Sequence, residues 1–242
     1  MKILSPLKSY DEAKILDADY FYCGLICTDF SLNDRPNDTN HNFSTIEELS
    51  KAVKIIKKRK KKIFLAINNM SLNVIKAKEQ IAIGEKIGFD GYIISNPLLI
   101  KELPDKFNWL SCISATLNGY SIKYFQKLGI NNFHLPRHLG IDEVNNLKKK
   151  EINLSVFGMK GMCRYIEGYC ALHSLGGEHP CCDIKVSKIF GKEIKLNHIT
   201  SPTKSCGICA FKQLKINCIK IEGRSASLKE KIKLINIIKM AL

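Results

Sequence analysis

Alternation is the feature that most limits how this chain can fold. Eight short runs rich in β-branched and aromatic residues recur along it, and segments with helical spacing follow them. The runs predict strands at Lys2–Leu4, Tyr20–Cys23, Ile63–Ile67, Gly91–Ile94, Leu110–Ser114, Asn132–Leu135, Leu154–Phe157 and Cys218–Ile221. Helical patterns fall at Tyr10–Leu16, Thr45–Lys58, Leu72–Ile87, Leu98–Leu103, Ser121–Leu128, Ile141–Lys149, Gly207–Leu214 and Leu228–Met240. Ser44 reads as a helix start with Glu47 at capping-box distance, and Gly88 and Gly129 as C-terminal stops. Eight strand–helix units in 242 residues are the pattern of a (β/α)8 TIM-barrel-like fold in the α/β class, as one domain over residues 1–242. A doubly wound open sheet would read similarly, so the barrel rests on the count.

One long insert breaks the rhythm before the last strand, over residues 158–209, and a loop of that length is usually functional. It holds Cys163-x6-Cys170, the pair Cys181-Cys182, and Cys206-x2-Cys209. Ten cysteines without a signal-peptide pattern or a bilayer-length apolar run point to the reducing cytoplasm and no membrane insertion. There, crowded thiols are better explained by metal binding than by disulfides. Thiolates suit an iron–sulfur cluster or zinc, and spacing alone does not choose between them. Cys206-Gly207-Ile208-Cys209 is a zinc-type hook with His173 and His179 near it in sequence, but no second C-x2-C accompanies it. Cys112 and Cys218 read as buried strand residues. Cys23, at the end of a strand, is an alternate distant ligand, and Cys27 is undecided.

Barrel enzymes place chemistry at the C-terminal ends of their strands. Those positions hold Cys23, Asn68, Ser95, Asn96, Thr116, Asn118, Arg137, Glu222 and Arg224. Single Ser and Asn residues there are ordinary turn residues. Arg137, Glu222 and Arg224 are the catalytic candidates, because a charge leaving an apolar strand must find a partner. A small anionic ligand would suit the two arginines. The formal charge of +15 admits an RNA partner, although the Lys, Ile and Asn bias of the chain would produce much of it without any selection for binding. The run Lys57–Lys62 ends a predicted helix, where cations also suit the dipole. Neither an HExxH zinc motif nor a GxSxG elbow is present.

The stretch VFGMKGMCRYIEGYC resembles the signature of the U-32 peptidase family, the collagenase-like proteins, with Phe157, Cys163, Gly168 and Cys170 in register. IKIEGR at Ile219–Arg224 is similar to the family's last strand. ADYFYCGL, Asn33-x-Arg35, NFSTIEEL, KKIFLAINN and FHLPRHLGIDEV are looser matches that extend the resemblance over most of the chain. Ser155 stands where the signature has glutamate, and Lys160, with Gly161 beside it, where it has glycine. The resemblance implies a barrel and a 4Fe-4S cluster on Cys163, Cys170, one of Cys181 and Cys182, and one of Cys206 and Cys209; Cys182 and Cys209 are the first choices. It further implies oxygen-independent hydroxylation of a tRNA or rRNA base or of a small aromatic ring. A peptidase is the alternative. Another is a non-catalytic iron–sulfur subunit that works with a second family member.

Overall fold

The computed structural model describes residues 1–25, 42–68, 74–158, 185–189, 192–195, 211–224 and 226–242. Eight parallel strands close a barrel: β1 (Lys2–Pro6), β2 (Tyr20–Cys23), β3 (Lys62–Ile67), β4 (Gly91–Ile94), β5 (Trp109–Leu110), β6 (Asn132–His134), β7 (Asn153–Gly158) and β10 (Cys218–Ile221). β10 sits between β7 and β1 and completes the ring. The remaining strands, β8 (Lys185–Ile189) and β9 (Lys192–Lys195), form a separate antiparallel pair inside the long insert. Following hydrogen-bonded partners once around from residue 134 leads formally to residue 126 of the same strand. That offset is the shear of a TIM barrel.

Helices α1 (Tyr10–Ile15), α2 (Ile46–Lys58), α3 (Val74–Ile87), α4 (Gly119–Lys127), α5 (Ile141–Leu147) and α6 (Leu228–Ala241) belong to the outer ring. Strand residues alternate between two cores. Ile3, Phe21, Ile63, Leu65, Ile94, Phe133, Leu154 and Ile219 pack outward with the buried helix faces. Leu4, Tyr22, Phe64, Ile93, Trp109 and Cys218 fill the lumen. Among the described residues no helix is long and apolar enough to cross a membrane.

Departures from the sequence reading have local causes. The helix expected at Leu98–Leu103 is a 3-10 segment, Pro97–Glu102. Pro97 starts it, and Pro104 leaves no room for a second α-turn. The strand expected to reach Ser114 stops at Leu110. Ser111 caps a short 3-10 turn, Cys112–Ser114, and Ala115 is left-handed at φ 53°. Cys112 is therefore buried in a turn, not a strand. Thr45 rather than Ser44 caps α2, accepting from the Glu48 amide. Gly88 and Gly129, at φ 94° and 101°, end their helices as expected. The strands β1, β3 and β7 are longer than read, and β6 ends one residue early at His134.

Candidate functional site

Alternation and shear stack the lumen side chains in layers of four drawn from alternate strands. The register places Trp109 in one layer with Leu4, Phe64 and Ser155. Above it, toward the C-terminal ends, lie His134, Lys220, Tyr22 and Ile93. Next come Phe157, Pro6, Ala66 and Ser111, and last Glu222, Gly24, Ser95 and Pro136. The contacts agree with this order. The Trp109 and His134 rings stack with centroids 4.6 Å apart, and Lys220 Nζ lies 4.7 Å from the Tyr22 ring and 5.5 Å from the Phe157 ring.

Arg137 and Glu222 meet at the rim. Their side chains form an ion pair, each 19% exposed, and the guanidinium lies 4.2 Å over the Phe157 ring. Partial burial and stacking make this pair stiffer than a surface bridge. It confirms that two of the three charged candidates come together. Arg224 goes elsewhere. Gly223 turns the chain at φ 88°, and Arg224, 7% exposed, donates from Nη1 to Asn42 Oδ1 at 2.6 Å. A Cβ on Gly24 would lie 2.1 Å from that oxygen and 2.9 Å from Nη1, so glycine is what admits the contact. The Arg224 carbonyl accepts from Lys231 Nζ at 3.0 Å, and Lys231 pairs with Glu12 at 2.7 and 2.9 Å, with side-chain exposures of 0% and 3%. Burial pulls the Lys231 ammonium below its ordinary range, and Glu12 opposes the pull.

The polar groups read along the rim divide. Asn96 and Asn118 are helix caps, accepting from Leu98 N and from Tyr120 and Ser121 N. Asn68 Oδ1, Ser95 Oγ and Thr116 Oγ1 are buried without hydrogen-bond partners. Cys23 is fully buried in the outer core, where burial pushes its thiol up to about 12 and Arg224 opposes the rise. A metal-binding thiolate needs the opposite shift, which argues against Cys23 as a ligand. Cys163, Cys170, Cys181, Cys182, Cys206, Cys209 and Cys27 lie outside the described residues, and so does Asn33-x-Arg35. Among the described residues no three of His, Cys, Asp or Glu cluster as a metal site. The two ends of the cysteine-bearing segment are close together: a Cβ on Gly158 would lie 3.7 Å from the Phe211 ring. Gly158 ends β7, one residue beyond Phe157 and hence beside the Arg137–Glu222 pair.

Two lumen residues escaped the sequence reading. Lys220 and His134 are 5% and 1% exposed. Their signal was a lysine and a histidine on the inward parity of apolar strands. Neither ring nitrogen of His134 has a hydrogen-bond partner, nor has Trp109 Nε1. Each such buried group costs about 1–3 kcal/mol. Burial, with Lys220 adding to it, lowers the His134 pKa well below the usual value, so the ring is neutral. Cys218, also in the lumen, is pushed up to about 12 by burial, with the Ser155 hydroxyl opposing.

The basic run has a different place from the site. It joins α2 to β3, at the end of the barrel opposite the rim. Arg59 donates to the Ala13 and Leu16 carbonyls at 2.5 and 2.8 Å, and Lys57 pairs with Asp90. A cavity of about 130 Å³ opens at that same far end, between Lys2, Tyr20, Phe107, Trp109 and Asn153. Barrel chemistry belongs to the other end.

The family model for Peptidase family U32 matches residues 7–242. The chain is 26% identical to the tRNA hydroxylation protein P of Escherichia coli (strain K12), over 71% of its own length and 39% of that protein. It is 28% identical to the protein of the same name from Haemophilus influenzae, over 71% of its length and 38% of that protein. The chain thus spans about two fifths of the length of these curated relatives. The solved U32 peptidase Mk0906 superposes with a TM-score of 0.61 at 10% identity, covering 92% of this chain and 93% of that one. That likeness carries the fold.

Proposed function

Because the chain belongs to Peptidase family U32, we propose that it serves in hydroxylation of a tRNA base and carries a 4Fe-4S cluster on Cys163, Cys170, Cys182 and Cys209. Cys181 and Cys206 are the alternates within their pairs. The observation that carries the reading is the pairing of two facts. Relatives matching over 71% of the chain are named for tRNA hydroxylation, and the thiol-rich segment is rooted beside a charged pair at the rim where barrels do chemistry. The donor set fits the group: four soft thiolates suit an iron–sulfur cluster better than a zinc site built on one C-x2-C hook. Bound there, such a cluster supplies one-electron chemistry.

The chain's own residues do the rest. Arg137, stacked on Phe157 and paired with Glu222, presents a fixed cation to an anionic small molecule or a phosphate. Glu222 holds that guanidinium and offers a carboxylate for proton transfer. Arg224, bonded to Asn42, braces the turn that carries Glu222. The net charge of +15 favours a polyanionic partner and makes its binding salt-dependent.

Two measurements test the reading. Anaerobically purified protein is expected to be brown, with about four irons and four sulfides per chain, and Cys170→Ser should lose most of the iron. tRNA from cells lacking the gene is expected to lose a nucleoside 16 Da heavier than its parent, with restoration by the wild-type gene and none by Glu222→Gln. Colourless protein with one zinc, together with cleavage of casein, would replace this reading by the peptidase one. Restoration only when a second family member co-purifies would make the chain an accessory subunit.

A further inference from the structure

We propose that the upper lumen of the barrel is a binding site for a small carboxylic acid with an apolar body, its carboxylate held at the level of Lys220 and His134. Three features carry this. First, the layer of Lys220, His134, Tyr22 and Ile93 combines a cation with a neutral imidazole, and both are buried. Neither His134 nitrogen has a partner, so the ring offers one donor and one acceptor toward the lumen. Second, the layer above is small on three sides, with Pro6, Ala66 and Ser111, and large only at Phe157. Side chains of that size leave room over Lys220 and His134 that a filled barrel closes. Third, the surroundings are mixed in a particular way. Ala66 and the Tyr22 and Phe157 rings would face a carbon skeleton, whereas Lys220 and, at the rim, Arg137 would face negative oxygens. An organic carboxylate satisfies both demands; inorganic phosphate, polar on every side, satisfies only one.

The inference deepens the proposed function by locating its small-molecule ligand, and it rests on that reading for its purpose alone. Binding is measured without tRNA and without turnover. Failure to bind therefore leaves the tRNA assignment untouched, and failure of the tRNA assay leaves the lumen site untouched.

Trp109 makes the test direct. It is the only tryptophan, and it stacks on His134 under the proposed site. Cyclohexanecarboxylate, its neutral amide and inorganic phosphate are titrated into the full-length protein while Trp109 emission is followed. The acid is expected to give a saturable change, with the amide and phosphate at least tenfold weaker. Lys220→Met should weaken the acid at least tenfold, and the exposed Lys150→Met should not. Ala66→Leu fills the space without touching the charge, and should also block the change while far-ultraviolet circular dichroism stays native. If Lys220→Met fails to fold, Ala66→Leu decides alone. Equal response to acid and amide, preference for phosphate, no saturable response, or normal binding by Ala66→Leu would each overturn the proposal.

Discussion

Replacing Lys231 by methionine tests how the IEGR turn is held. Lys231 Nζ is fully buried and makes three contacts: both Glu12 carboxylate oxygens, at 2.7 and 2.9 Å, and the Arg224 carbonyl, at 3.0 Å. Methionine keeps the length and apolar stem of the side chain, so little volume is lost. What remains is a Glu12 carboxylate, 3% exposed, whose other contact is the Lys8 amide at 2.9 Å. A buried pair broken from one side costs about 3–5 kcal/mol. The surviving Lys8 bond puts the expectation near the lower end, about 3 kcal/mol. The loss at the Arg224 carbonyl adds about 1 kcal/mol. With a urea slope of about 3 kcal/mol/M, the midpoint should fall by more than about 1 M. The double variant Glu12→Leu/Lys231→Met removes both charges and should recover much of the loss, as apolar replacements of buried pairs do. A single-variant cost under about 1 kcal/mol, or a double-variant cost equal to the sum of the singles, would refute the argument that this ion pair buttresses the turn.

Two further outcomes follow from the site. His134 is neutral in the folded barrel at pH values where the unfolded chain, with an ordinary histidine near 6.5, takes up a proton. The unfolded state then binds more protons, so stability should fall as the pH drops below about 6.5, by at most about 1.4 kcal/mol per pH unit from this group. His134→Phe, which keeps the stack on Trp109, should flatten that slope in urea titrations run at pH 7.5 and 5.5 in a carboxylate-free buffer; an unchanged slope would mean that His134 protonates freely in the fold. Gly24→Ala should expel the Arg224–Asn42 bond, since its Cβ would lie 2.1 Å from Asn42 Oδ1, and cost about 1–3 kcal/mol in the same assay. It should also abolish nucleoside restoration in cells; full stability with full restoration would show that the bond is incidental.

The barrel was legible because period-two alternation bounded by turn residues is a local signal, and six of the eight strands lie within one residue of where the alternation puts them at each end. The errors arose where side chains redirect the backbone, at Ser111 and at the segment between Pro97 and Pro104. At the site, Arg137 and Glu222 were legible as charges leaving apolar strands. Their pairing was not, since they are 85 residues apart and only closure of the barrel brings them together. Lys220 and His134 were missed for a related reason. A lysine in CIKI or a histidine in NFH acquires meaning only when the register shows which neighbours share its layer.

The last strand shows how one short sequence serves three parts of the barrel. Alternation sends Lys220 and Glu222 inward, to the middle and the top of the lumen, and Ile219 and Ile221 outward to the helices. Had the alternation continued past Glu222, the chain would have run on above the rim. The left-handed Gly223 turns it instead, and Arg224 enters the space that Gly24 leaves open. Its carbonyl is then fixed from below by Lys231 of α6, whose charge is matched by Glu12 of α1. The first and last helices of the barrel thus hold the turn between them. A shift in their packing would be felt first at Glu222, and through Glu222 at Arg137. Substitutions in Lys220–Arg224 should therefore separate by residue: Lys220 through the lumen, Glu222 through the rim pair, and Arg224 through the buttress. Only the last should lower stability as much as it lowers function.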